Sequence, residues 1–459
     1  MLAAGLSPAA VRAFRRQYGR LLDGETGFIP DALAAPVDAL PALEALEAHR
    51  AAGVDQLDRV VQIKLNGGLG TSMGLSGPKS LIPVRGELSF LDIVVRQVLA
   101  LRRSTGARLP LLLMNSFNTR QQSLDALARY PDLAVDLPLD FLQGQVPKVR
   151  VRDLAPAEWP EAPEREWCPP GHGDLYGALA GSGMLDALLA SGYELAFVSN
   201  VDNLGATLDP AILGYMAGGE LPFLMEVAER SPADRKGGHL ARRPDGRLIL
   251  REVAQCPPDE LESFQDIRRY RYFNTNNLWI HLPSLARVLD AGEGSLDLPL
   301  IRNEKPVDPT RPESPRVYQL ETAMGSAIAV FDGAGAIQVP RERFRPVKQT
   351  GDLLGLRSDA YRLAADGCLE LRPERGGQAP EIDLDPRYYA RIDDLALRFP
   401  AGPPSLLACQ RLEVRGDLRF GGGVQLVGSL HLEAPDGEPR WIDDGACISG
   451  PETPARIRT

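Results

Sequence analysis

KLNGGLGTSMGLSGPKS, from Lys64 to Ser80, places glycines at 67, 68, 70, 74 and 77 in one short segment and closes it with a proline and a lysine. The β-branched run VVQIKL (60–65) leads into it, and the amphipathic SFLDIVVRQVLALRRSTG (89–106), ending in arginines and a glycine, follows. Strand, glycine loop and helix in that order predict a phosphate cradle, with clustered backbone N–H groups facing the ligand and a helix N-terminus adding a favourable dipole. A glycine turn without a ligand is the plain alternative, but it has little need of five glycines and a terminal lysine. The loop is not a Walker A loop, which needs lysine directly after a glycine; here Pro78 separates Gly77 from Lys79. The strict GxGxxG dinucleotide pattern is absent as well.

Outward from the loop, apolar strands and helices alternate. LPLLLMNS (109–116) reads as a strand, TRQQSLDALARY (119–130) as a helix, and YELAFVSNVDNLGA (193–206), LPFLMEVAE (221–229) and RYFNTNNLWIHL (271–282) as further strands bordered by polar residues. This order predicts an α/β fold with a parallel sheet and ligand sites at the carboxyl ends of its strands. Residues 1–50 read as a helical segment and 51–380 as the catalytic domain. From 381 to 459 the texture changes: LEVRGDLRFGGGVQLVGSLHLEA (412–434) alternates apolar and polar residues between glycine corners, which suits a short β-solenoid or, more plainly, a pair of β-hairpins.

The bulk properties exclude several classes. The 459 residues carry a formal net charge of −10, so the whole-molecule field repels nucleic-acid backbones and anionic lipid, and any bound phosphate must be held locally. No apolar run is long enough to cross a bilayer. The five cysteines, 168, 256, 368, 409 and 447, form no CxxC pair and are odd in number, which fits reduced thiols. Arg12, Arg15, Arg16 and Arg20 fall on the expected solvent face of an N-terminal amphipathic helix, and Asp23, Glu25 and Asp31 behind them argue against a transit peptide. The expected location is the cytoplasm.

Three residues beyond the loop carry chemistry. Asp202, in SNVDN at a strand end, suits a magnesium ion shared with phosphate, although a lone aspartate more often caps a turn. His172, in PPGHGDLY (169–176), sits where backbone approaches closely; none of the five histidines has metal-pair spacing. Lys348, in RFRPVKQTGDLL (343–354), offers a second cation for a polyphosphate, or belongs to a solvated basic face. No triad order, GxSxG elbow or reactive-cysteine setting argues for covalent catalysis.

Taken in order, LNGGLGTSMGLSGPKS, FLQGQVPKV (141–149), PPGHGDLY, FVSNVDNLGAT, DRKGGHLA, REVAQ, FNTNNLWIHL, QLETAMGSAI and RFRPVKQTGDLL closely resemble the eukaryotic-type UTP-glucose-1-phosphate uridylyltransferase family, from about residue 55 to the glycine-rich tail. The resemblance implies a Rossmann-like, GT-A-related domain with a mixed, mostly parallel sheet and a C-terminal left-handed β-helix through which the chain would self-associate. It implies the reaction UTP plus glucose 1-phosphate giving UDP-glucose and pyrophosphate, with Mg2+ and no covalent enzyme intermediate. Matched residue by residue, Leu65, Asn66, Gly67 and Gly68 would line the nucleotide and Lys79 the triphosphate. Gln143 and Gly171 would read the uracil, His172 would stand by the sugar phosphate, Asp202 would bind magnesium, and Lys348 would bridge both substrates' phosphates. Gly238, Glu252, Asn274 and Asn276 would contact the sugar. Ser72 stands where related sugar nucleotidyltransferases have arginine, which leaves triphosphate binding to Lys79 and backbone donors. The rival readings are the same transfer to galactose or N-acetylglucosamine 1-phosphate, and a non-catalytic nucleotide-sugar sensor.

Overall fold

The computed structural model describes residues 1–450 and the backbone of 457–458; the Ser72 side chain and most of the terminal PETPARIRT lie outside the described residues. Strand β1 (Val60–Asn66) lies at the centre of a nine-stranded sheet and is buried at every position but Leu65. Leu111–Asn115 and Leu195–Asn200 flank it, both parallel, and Asp140–Leu142 extends the parallel row. Covered on both faces, these strands need the near-continuous apolar runs that the sequence shows. Beyond Leu195–Asn200 the sheet turns antiparallel at Tyr272–His281, which also pairs with Phe223–Glu229 and, through one residue pair, with the His239–Arg242 and Leu248–Arg251 hairpin. Gly335–Gln338 closes the other branch, parallel to Phe223–Glu229. The fold is therefore mixed α/β with a parallel centre, and the carboxyl ends of β1 and its two neighbours share one edge.

The helix behind the glycine loop departs from expectation. It spans Phe90–Thr105, and between it and Lys79 lie a 3-10 turn (Lys79–Leu81) and a small hairpin (Pro83–Arg85 with Leu88–Ser89). Its N-terminus is already capped: Asp92 N–H donates to Ser89 Oγ at 3.2 Å, and Asp92 Oδ2 accepts from Ser89 N–H at 2.9 Å. That helix dipole is spent on its own carboxylate, so the loop must hold an anion with its backbone and with Lys79.

Helix α1 (Pro8–Leu22) packs on the main body rather than displaying all its arginines. Gln17 Nε2 donates to Leu298 O at 3.0 Å, Arg20 Nη1 to the same oxygen at 2.8 Å, and Arg12 Nη2 to Glu293 O at 2.7 Å. At the other end, Glu381–Leu384, Ser405–Arg415, Gln425–Glu433 and Cys447–Ser449 lie side by side in parallel, and Leu418–Phe420 pairs in parallel with Arg440–Ile442. Parallel pairing excludes the hairpin alternative, since a tight turn joins only antiparallel strands. The interior of these strands (Leu412, Val414, Leu418, Phe420, Leu426, Ile448) is continuous with the core around Val60, Phe90, Leu111 and Leu353.

Candidate active site

The glycine loop leaves β1 and folds back on itself. Gly70 N–H donates to Gly77 O and Lys79 N–H to Gly68 O, both at 3.1 Å, which brings Lys79 beside the loop's origin. Its ammonium forms a tight ion pair with Asp202 Oδ2; both side chains are largely shielded, 19% and 15% exposed. Thus the loop cation and the carboxylate at the end of Leu195–Asn200 meet, as two neighbouring parallel strands require. Lys348 arrives on the segment before the helix Thr350–Arg357, where Asp352 Oδ2 accepts from Lys348 N–H at 2.7 Å and Gln349 N–H at 2.9 Å. Burial raises the Asp352 carboxyl, while Lys348 and Lys79 both pull it down, so the two ammonium groups bear on one carboxylate.

On the far side of the loop stands Gln143. A Cβ on Gly67 would lie 2.7 Å from Gln143 Oε1, so only glycine lets this amide rest on the loop. Asn66 turns inward, its Nδ2 donating to Asn115 Oδ1 (2.7 Å) and Ser123 Oγ (2.8 Å), so its side chain braces the strand ends. Leu65 and Gly68 lie on either side of this pair at the strand end. Gly171 has φ +80°, and a Cβ there would stand 2.4 Å from Thr322 O; both conformation and space demand glycine. Beside it, Met324 N–H donates to His172 Nδ1 at 3.0 Å, which puts the ring proton on Nε2. Burial lowers His172 to about 4, so it is a neutral Nε2–H donor at pH 7.

The third group gathers at the bulge in Tyr272–His281. The register with Phe223–Glu229 slips between Glu226 and Val227, and Asn276 takes φ +59°. Asn274 stabilises this left-handed residue twice, accepting from Asn276 N–H (2.9 Å) and donating to Asn276 Oδ1 (2.7 Å). Gly238 packs on the Glu252 carboxylate, which a Cβ would meet at 2.4 Å. Burial pushes Glu252 up to about 7, against the pull of Lys348, so this group lies within electrostatic reach of Lys348.

Sequence reasoning missed the supports beneath. Lys64 is fully buried, donating to Ser199 Oγ (2.7 Å) and Ala206 O (2.8 Å), and burial lowers it to about 7. Glu226, also fully buried, accepts from Arg343 Nε and Nη2 (both 2.7 Å), Asn277 Nδ2 (3.0 Å) and Trp279 Nε1 (2.9 Å). Asn203, next to Asp202, accepts from Arg345 N–H (2.8 Å) and donates to Arg343 O (3.0 Å). The Arg343–Arg345 stretch that leads to Lys348 is thereby clamped to the loop that bears Asp202. Among the described residues no three His, Cys, Asp or Glu side chains are grouped to hold a metal. A metal held at Asp202 would take its remaining ligands from substrate phosphate and water, an arrangement magnesium accepts.

The sequence model of UTP-glucose-1-phosphate uridylyltransferase matches residues 12–427. The chain belongs to this family. It is 40% identical to the potato UTP-glucose-1-phosphate uridylyltransferase over 454 residues, covering 96% of this chain and 92% of the potato protein. Identity to the baker's yeast (Saccharomyces cerevisiae) uridylyltransferase is 41% over 397 residues, 86% of this chain and 78% of that one. A mutant UDP-glucose pyrophosphorylase from Leishmania major, solved in complex with UDP-glucose, superposes with a TM-score of 0.92 at 46% identity, covering 98% of this chain and 96% of its own. The Trypanosoma brucei UDP-glucose phosphorylase structure gives 0.90 at 44%, with coverages of 98% and 96%. The chain thus shares its mixed α/β fold with these solved structures over nearly its whole length.

Proposed function

We propose that the protein catalyses UTP + glucose 1-phosphate = UDP-glucose + pyrophosphate. The observation that carries this reading is the convergence of Lys79, Asp202 and Lys348, from separate segments, at the sheet edge beside the Gly67–Gln143 contact. A sugar-phosphate oxygen attacks the α-phosphorus of UTP in line. The new P–O bond forms as the bond to the bridging α–β oxygen breaks, and that electron pair leaves with pyrophosphate. Lys79 and Lys348 are placed to offset the negative charge on the transferring phosphorus and the leaving group, positioned cations being the main resource in this chemistry. His172 donates its Nε2 proton as a hydrogen bond to the sugar phosphate, and Gln143 with the Gly171 backbone reads the uracil. Gly238, Glu252, Asn274 and Asn276 supply the directional donors and acceptors for sugar hydroxyls. Asp202 is the residue that would hold magnesium, whose bound charge would further neutralise the triphosphate.

The test is Lys348→Ala: kcat falls at least about 10²-fold while UTP affinity changes much less. Equal losses in both, or no change in kcat, would sink the assignment.

The parallel C-terminal strands support a left-handed β-helix, and self-association through this C-terminal domain is part of the proposal, which sedimentation velocity can test. The organisation into 1–50, 51–380 and 381–459 stays part of this proposal. Among the described residues no helix is long and apolar enough to cross a membrane. The five free thiols favour a reducing compartment, for which the cytoplasm is the proposed setting.

A further inference from the structure

Asp174 is used by none of the chemistry above. It lies two residues beyond His172, and its Oδ2 accepts from Gly144 N–H at 2.5 Å, the residue directly after Gln143. A Cβ on Gly144 would stand 3.1 Å from the same oxygen, so a larger residue would push this carboxylate away by a few tenths of an ångström. Among the described residues no cation pairs with Asp174, and burial pushes its carboxyl up to about 6. A carboxylate held without a counter-ion costs stability, and the bond to Gly144 is its one compensating contact among the described residues. Gly144 and Asp174 line two cavities, one also lined by Phe14 and Gln17 of α1, the other by Phe117, Arg120 and Gln143. Gln143 N–H donates to Asn115 O at 2.8 Å, which anchors the strand side of this peptide, and the bond from Gly144 N–H to Asp174 ties its far side to the Gly171–Asp174 loop.

We propose that Asp174 is a positioning residue for base selection: by holding Gly144 it fixes the Gln143 amide relative to the Gly171 backbone, so that the pair accepts uracil and rejects cytosine. The inference rests on Gln143 and Gly171 being the base readers. Uracil presents a carbonyl oxygen and an N–H where cytosine presents an amino group and a bare ring nitrogen. An amide free to turn can satisfy either pattern. An amide held at one depth, flat on Gly67, leaves a buried group unpaired against the wrong base.

The experiment compares kcat/KM for UTP and CTP in the wild type, D174A, D174N and Q143A, with the melting temperature of each. D174A is expected to narrow the UTP:CTP ratio at least tenfold, chiefly through the KM for UTP. D174N, whose amide oxygen can still accept from Gly144 N–H, stays within about threefold of wild type. Should D174A fail to fold, D174S, too short to reach Gly144, takes its place. A wild-type ratio in D174A beside a narrowed ratio in Q143A overturns the positioning role alone, whereas an unchanged ratio in Q143A overturns the base-reading assignment beneath it. Parallel losses on both triphosphates, with lowered melting temperature in D174A and D174N alike, would make Asp174 a scaffold residue and also overturn the proposal.

Discussion

At the residue scale the site works by controlling protonation as much as by placing charge. His172 is tied through Nδ1 to Met324 N–H and held neutral by burial, so in the proposed reaction it would serve as a fixed donor and not as a titrating base. His172→Ala should lower kcat/KM by about 10²-fold, the usual effect of removing one positioned donor. Because Glu252 titrates near 7, the comparison is made in the Glu252→Gln background, where the profile should show no inflection between pH 5.5 and 8 that His172→Ala removes; one that it does remove would contradict the neutral imidazole. Glu252 behaves in the opposite sense. Its folded pKa of about 7 exceeds the ordinary 4.5, so the folded state holds the proton more tightly, and the stability this gives is lost as pH rises from about 4.5 through 7. Glu252→Gln removes both ionisations, so the variant should gain stability over wild type by an amount that grows between pH 5 and pH 8, read from melting temperatures. The ionised carboxylate is also the better acceptor for sugar hydroxyls. Wild-type affinity for UDP-glucose should therefore rise through pH 7, while that of E252Q stays flat. The positions of Lys79 and Asp202 were legible because one closes the glycine loop that follows an apolar strand and the other stands just past the end of the neighbouring one. Lys64 and Asp174 were not, because their meaning lies in partners far along the chain, Ala206 and Gly144.

At the scale of elements, the segment carrying Lys348 depends on a buried ion pair. Arg343 and Glu226 are bound in bidentate fashion, and Asn203 clasps the backbone on either side of Phe344. Removing one charge leaves the other uncompensated in the interior. Glu226→Gln should thus cost about 3–5 kcal/mol by denaturant unfolding. It should also lower kcat more than UTP affinity, because Lys348 loses its anchor. An unfolding free energy within about 1 kcal/mol of wild type would show that the pair is not uncompensated when broken. β1 and its loop could be read directly from the run VVQIKL and the glycines after it. The start of the next helix could be read from Ser89 and Asp92, but the hairpin between could not: PVR and LS are too short to show period-two alternation. The bulge at Asn276 was equally hidden, since a register slip depends on the partner strand and FNTNNLW alone does not encode it.

At the scale of the molecule, the alternation of strands and helices gave the α/β class, and the glycine-cornered repeat gave the parallel C-terminal strands. The continuity between them was not legible, because Leu353, Tyr389 and Leu418 join one core only once the chain is folded. Thr350 Oγ1 donates to Tyr389 O at 2.5 Å and Tyr389 OH to Leu418 O at 2.6 Å, stitching the helix behind Lys348 to the coil. Calorimetry should accordingly show one cooperative transition; two well-separated transitions would mean that the parts fold independently. A chain ending at residue 380 would expose the Leu353 face and should be recovered as aggregate. The residues around the glycine loop are proposed to join UTP to glucose 1-phosphate. The most direct measurement is steady-state pyrophosphate release with magnesium across a panel of UTP, CTP, ATP and GTP against glucose, galactose and N-acetylglucosamine 1-phosphates. The predicted result is turnover dominated by UTP with glucose 1-phosphate and reduced at least about 10²-fold by Lys348→Ala; no turnover with that pair, or a clear preference for another sugar or base, would contradict it.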